Sequence, residues 1–218
     1  MLKIDARLRE IALSTKGFMP PDEGDALFRA ACVAGKKLPG LGMVEVGTYC
    51  GRSTVWLGAA AKKRKTILFT VDHHSGSEEN QKGWQWFDES LVDPRSQRLN
   101  TLPSLLKTLQ LSRLGNVVVP IVAESQLASF QMKSRFAFCF IDGGHGDVPT
   151  QLDYANWALK VAVNGYLAIH DVFADPNDGG QAPYKFIYQP AVASGEFVEI
   201  SAIGSLRILQ RVKNFDNV

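Results

Sequence analysis

The chain has 218 residues, with 24 Lys and Arg against 22 Asp and Glu and a net charge of +2 at pH 7. That length suits one α/β domain with extra segments, and so even a charge balance gives no basis for a nucleic-acid or membrane partner. No apolar run approaches the length needed to span a bilayer, the amino terminus carries Lys3, Asp5, Arg7, Arg9 and Glu10 in place of a signal-peptide core, and the three cysteines lack metal-type spacing. A reducing, cytoplasmic setting is expected.

In chain order, residues 1–16 and 22–37 read as helices; in the second, Ala26, Leu27, Ala30, Ala31 and Ala34 recur at helical spacing behind Pro20 and Pro21. These form an amino-terminal helical extension over residues 1–40, followed by an α/β core over 41–212 within a single domain. A strand at 43–47 meets a tight turn closed by Gly51, then a small-residue helix at 53–62 whose following cations (62–65) complement the helix dipole. A strand at 67–72 leads into a long polar stretch holding Trp84, Trp86 and Phe87 and then a helix at 102–114. A strand at 117–122, a helix from Ser125, a strand at 136–142 and a helix at 148–163 follow, the last closed by Asn164 and Gly165 as a carboxyl cap. A strand at 166–170, a turn-rich loop at 172–183 and a hairpin of 197–202 with 205–211 complete the chain. The alternation predicts a Rossmann-like, seven-stranded, mostly parallel sheet with helices on both faces and a carboxyl-terminal antiparallel hairpin.

The four histidines fall where apolar runs end: ILFTVDHH at 67–74, FAFCFIDGGH at 136–145 and YLAIHD at 166–171. In an open parallel sheet the carboxyl ends of the strands share one rim where ligands bind, so these acids and histidines pool in one crevice. Gly47 and Gly51 bend the turn after the first strand. The turn lacks the dinucleotide-binding G-x-G-x-x-G spacing, because Tyr49 and Arg52 stand where the second and third glycines belong. This weighs against a nicotinamide oxidoreductase. Asp72, at a strand end, is either a ribose-diol acceptor or a loop cap, and His73 and His74 have no assigned chemistry.

The strings VEVGTYCGRST at 44–54, AESQ at 123–126, FIDGGH at 140–145 and LAIHD at 167–171 resemble the class I S-adenosylmethionine-dependent methyltransferases, specifically the catechol O-methyltransferase-like, metal-dependent group. The resemblance covers roughly residues 40–212 in order and spacing. It implies that Glu45, Gly47, Tyr49, Gly51 and Ser53 line the methionine end of the cofactor, that Asp72 takes the ribose hydroxyls, and that Ser125 and Gln126 edge the adenine. It also implies a divalent metal held by Asp142, His170 and Asp171. The catechol enzymes carry Asp-Asn where this chain has His170-Asp171, and the imidazole suits Mn, Fe, Zn or Co better than Mg without excluding Mg. The alternative is that His170 and Asp171 cap a loop and hold no metal.

His145 stands where catechol-type members carry a catalytic lysine. With an ordinary pKa near ~6.5 against ~10.4 for lysine, it suits proton removal at neutral pH; a further metal ligand or a packing residue are its other readings. The expected activity is methyl transfer to a hydroxyl of a small molecule, a sugar or polyhydroxylated natural product by preference, with His145 and Asp142 as catalytic groups. Trp84, Trp86, Phe87, Tyr184, Phe186 and Tyr188 are candidates to wall the acceptor pocket, or ordinary packing. A metal-dependent hydrolase and a catalytically silent cofactor-binding protein are the alternatives. The first leaves the glycine turn unexplained, and the second leaves the acids and histidines without work. Self-association is open.

Overall fold

A computed structural model describes residues 2–213. Seven strands form one sheet in the order β3-β2-β1-β4-β5-β7-β6: β1 (Gly42–Val46), β2 (Leu68–Asp72), β3 (Val118–Val122), β4 (Phe136–Ile141), β5 (Val161–Ile169), β6 (Phe197–Ile203) and β7 (Leu206–Arg211). The pairs among β1 to β5 are parallel, and β7 runs antiparallel to both β5 and β6. The order reverses between β1 and β4, which makes their carboxyl ends the topological switch point. The Rossmann-like architecture expected from the alternating pattern is the one observed.

Among the described residues, seven α-helices flank the sheet: α1 (Ala6–Ser14), α2 (Pro21–Lys37), α3 (Arg52–Arg64), α4 (Leu102–Ser112), α5 (Ser125–Gln131), α6 (Asp147–Trp157) and α7 (Gln189–Ala193). On one face, Leu27, Trp56, Leu57, Met43, Phe138 and Phe140 share an apolar cluster with α1 to α4. On the other, Val44, Cys139, Ile141, Leu167 and Ile169 pack with Trp157, Ile187 and Ala191. Alternate residues of β4 thus enter opposite cores, which is why the strand reads as an unbroken apolar run. The small residues of α2 allow close helix packing: a Cβ on Gly24 would lie 2.5 Å from the Trp56 ring of α3. The amino-terminal helices therefore belong to the same core as β1 and β4.

Two expected segments take a different form. The helix placed at 148–163 ends at Trp157; a 3₁₀ turn, Ala158–Lys160, follows, and β5 begins at Val161. Asn164 and Gly165 are a bulge within that strand rather than a helix cap. Phe136 pairs with Val161 and Phe138 with Tyr166, so β5 loops through 162–165 while its neighbour advances past Ala137 alone. Asn164 has φ +68, and a Cβ on Gly165 would stand 2.8 Å from the Ala162 carbonyl oxygen. An Asn-Gly pair eases positive φ or close backbone approach in either setting, so the dipeptide does not distinguish them. The second difference is a helical stretch after the loop at 172–183, where a π turn, Tyr184–Tyr188, runs into α7. It buries Ile187 and Ala191, and stacks Tyr184 on Tyr188 at 5.8 Å.

Candidate active site

The turn from β1 to α3 occupies the switch point. Gly47 has φ +86, and a Cβ there would fall 2.0 Å from the carbonyl oxygen of Asp142 at the end of β4, so only glycine fits. Gly51 ends the turn with φ +91 just before α3. Asp72 braces the turn from β2: one carboxylate oxygen accepts from the Thr48 and Tyr49 backbone N–H groups at 2.9 and 2.8 Å, and the other from His74 N–H at 2.6 Å. A carboxylate has about four acceptor positions, so this partly exposed group retains capacity for a hydroxyl.

Glu45 departs from its expected place along the methionine end of the cofactor. It has no exposed surface, and its oxygens accept from Ser53 at 2.7 Å and from Thr54 and Thr70 at 2.6 Å each. Burial pushes its carboxyl up to about 7, against the pull of those hydroxyls. Glu45 and Ser53 thus hold the turn from beneath. Ser125 is likewise engaged, donating to Asp153 and accepting from Trp157 Nε1–H at 2.8 Å, so its hydroxyl faces α6 rather than an adenine edge. Gln126 is half-buried at the start of α5.

The ends of β4 and β5 carry a chain of alternating acids and imidazoles. His170 Nδ1 lies 2.9 Å from Asp142 Oδ1 and 3.3 Å from Asp171 Oδ2, and its Nε2 lies 2.8 Å from Glu23 Oε2. Asp171 Oδ2 is also 3.1 Å from His145 Nε2, whose Nδ1 is 3.1 Å from Glu79 Oε2. One ligand atom each from Asp142, His170 and Asp171 fall within 4.8 Å of one another. Asp171 reaches this position with φ +53, a left-handed conformation that Asp tolerates better than most residues.

Burial opposes charge on both imidazoles, yet the carboxyl groups win. Asp142, Asp171 and Glu23 hold His170 well above its ordinary value, and Asp171 with Glu79 lifts His145 to about 10. Burial raises Asp142, whereas the hydrogen bonds from both imidazoles hold Asp171 far below the usual carboxylate range. In this arrangement the two acids favour the protonated ring of His145, well above the ordinary value from which the sequence reading started.

His73 and His74 stand apart from this chain. His73 Nδ1 accepts from Ser75 N–H at 3.0 Å, while the buried His74 bonds Thr101 Oγ1 at 2.7 Å and is lowered by burial. Two site residues escaped the sequence reading. Glu23 lies in a first turn where an acid is already explained by the helix dipole, and Glu79 sits in a polar 3₁₀ turn with no periodicity to mark it. At the outer edge of the turn, Phe18 lies 5.5 Å from Tyr49 and 5.1 Å from Trp86, and nearby in sequence Lys16 pairs with Asp88. Trp84 and Trp86 are 52% and 45% exposed, so they are not core residues.

This sheet order, with its glycine turn at the switch point and a strand-end acid after β2, defines a class I S-adenosylmethionine-dependent methyltransferase. The chain belongs to the family described as methyltransferase domain, whose model matches residues 44–172. Its fold is similar to that of the O-methyltransferase NovP, at 16% identity over 88% of this chain and 81% of that one, with a TM-score of 0.67. The O-methyltransferase from Bacillus cereus in complex with SAH has 16% identity, 96% and 91% coverage and a TM-score of 0.64. TomG from Streptomyces achromogenes, an O-methyltransferase solved with SAM, has 16% identity, 98% and 92% coverage and a TM-score of 0.63. No helix among the described residues is long and apolar enough to cross a membrane.

Proposed function

We propose that this methyltransferase acts on a hydroxyl oxygen of a small molecule, with a divalent metal held by Asp142, His170 and Asp171. The observation that carries the reading is the convergence of those three donors beside the cofactor turn, with Asp142's own carbonyl in the space a side chain at 47 would need. The donor set fits a divalent ion: four carboxyl groups face two imidazoles, an excess of acid that a dication offsets. When bound, the metal lowers the pKa of the acceptor hydroxyl and orients it.

When bound, S-adenosylmethionine would supply the methyl group; the turn of Gly47, Tyr49 and Gly51 would hold its methionine end, the remaining acceptor capacity of Asp72 its ribose hydroxyls, and Gln126 its adenine. The acceptor oxygen would take the methyl group as the carbon–sulfur bond breaks to leave a neutral thioether, with His145 Nε2 placed to receive the hydroxyl proton. A base must arrive unprotonated, and a metal engaging the Asp171 carboxylate would withdraw one of the two acid partners that raise His145. Glu79 then accepts from Nδ1–H, fixing the tautomer that leaves Nε2 as the proton acceptor. Exposed Trp84 and Trp86, with Phe18 and Tyr49, offer flat apolar faces to a sugar or polyhydroxylated ring, while Tyr184 and Tyr188 are taken up by packing.

Asp142→Ala tests the reading. Turnover and metal binding should vanish while SAH affinity, followed by calorimetry, stays within a few-fold. A comparable loss of SAH binding would assign Asp142 to the cofactor pocket instead, and undiminished turnover would remove the metal from the reaction.

A further inference from the structure

We propose that Glu23 is a positioning residue of the metal centre, holding His170 in the orientation and tautomer that present Nδ1 beside Asp142 and Asp171. The inference rests on the reading of those three side chains as metal ligands, and it makes the first turn of α2 part of that centre.

Glu23 is 3% exposed, and each of its carboxylate oxygens is committed. Oε2 lies 2.8 Å from His170 Nε2, and Oε1 accepts from the Ser205 backbone N–H at 2.7 Å, with the Ser205 hydroxyl 3.3 Å from both. The hairpin turn between β6 and β7 closes directly on this carboxylate: Gly204 has φ +54, and a Cβ there would stand 2.0 Å from Glu23 Oε1. Glu23 is thus clamped by one strand turn while it clamps the imidazole at the end of another strand.

A buried carboxylate is costly to desolvate unless its partners compensate. Neither the helix dipole nor the hairpin requires an ion here. Asp22, exposed in the same turn, already serves the dipole, and a neutral acceptor would satisfy the Ser205 N–H. What does require one is the ring. His170 is 3% exposed and has acid partners on both nitrogens, so it cannot turn over without losing contacts on each side. As a ligand through Nδ1 it must carry its remaining proton on Nε2, and a carboxylate facing Nε2 selects that tautomer and raises the basicity of Nδ1.

Glu23→Gln is the discriminating variant. The Ser205 N–H and the His170 Nε2–H both need an acceptor, and an amide offers one acceptor face and one donor face. Mn²⁺ titration of the chelator-stripped full chain by calorimetry should show metal affinity about 10–100-fold weaker than wild type, while SAH affinity, which also reports folding, changes less than about twofold by the same reasoning. Mn²⁺ affinity equal to wild type in Glu23→Gln, alongside its loss in Asp142→Ala, would reduce Glu23 to a brace and overturn the inference alone. Wild-type protein that binds no Mn²⁺, or Asp142→Ala that binds it undiminished, would overturn the metal reading and the inference with it. Should the Gln variant fail to fold, ring ¹⁵N shifts of His170 in Zn²⁺-loaded wild type give the answer directly. A proton on Nε2 with Nδ1 metal-bound is expected, and the reverse tautomer overturns the proposal.

Discussion

The two halves of the rim are built on different principles. Around β1 and β2, the acids Glu45 and Asp72 are satisfied by uncharged hydroxyl and backbone donors from β2, the cofactor turn and the start of α3. Around β4 and β5, acids and imidazoles satisfy one another across separations of 28, 66 and 147 residues, drawing on α2 and the long loop after β2. The first half shapes a surface with neutral donors and needs no counter-charge. The second sets charged partners against one another, the kind of donor set the proposed metal centre and proton acceptor would use.

The most disruptive way to break this comparison is Gly47→Ala, since the added carbon would overlap the Asp142 carbonyl in a positive-φ position. It should destabilise the protein by about 2–4 kcal/mol, read as a lowered melting temperature, and weaken SAH and Mn²⁺ together. Loss of SAH alone would mean that the halves tolerate independent displacement. A smaller effect is expected from His145→Gln in metal-free protein. Because Asp171 and Glu79 raise the folded-state value to about 10, the stabilisation from His145 is full below its unfolded value near ~6.5 and is lost as pH rises through the folded one. Thermal melts should show the wild-type advantage over the variant shrinking across that window; an advantage constant with pH would mean His145 is not held as an imidazolium.

Glu45→Gln gives the smallest expected change. A carboxyl raised by burial to about 7 is easier to protonate folded than unfolded, so its contribution falls as pH rises from its ordinary range through 7. The variant should melt with a flatter pH dependence between about 4.3 and 7 than wild type, with SAH affinity little altered. An unchanged slope would show that the three hydroxyls keep Glu45 ionised, and the two halves would then differ less than described.

Much of the fold was legible because both-face burial leaves apolar runs, and each run here ends in its site acid or histidine: Asp72, Asp142, and His170 with Asp171. Periodicity reports burial, however, and not what a polar group meets across the fold. The family resemblance set Glu45 and Ser125 toward the cofactor, whereas their side-chain partners lie beneath the turn and against α6. The sequence reading took His145 at its ordinary pKa because neither Glu79 nor the reach of Asp171 is visible in spacing. The α6 boundary was lost for a local reason, since Asn164-Gly165 serves a strand bulge as well as a helix end.

The bond between Glu23 and His170 also sets an order of assembly. During synthesis α2 and α3 emerge ahead of His170 and the Ser205 turn, so α2 can begin to pack on α3 while its later partners are still to come. Closing so distant a contact carries a loop-closure cost that local packing does not, so Glu23 completes its burial only when the hairpin of β6 and β7 folds back over α2.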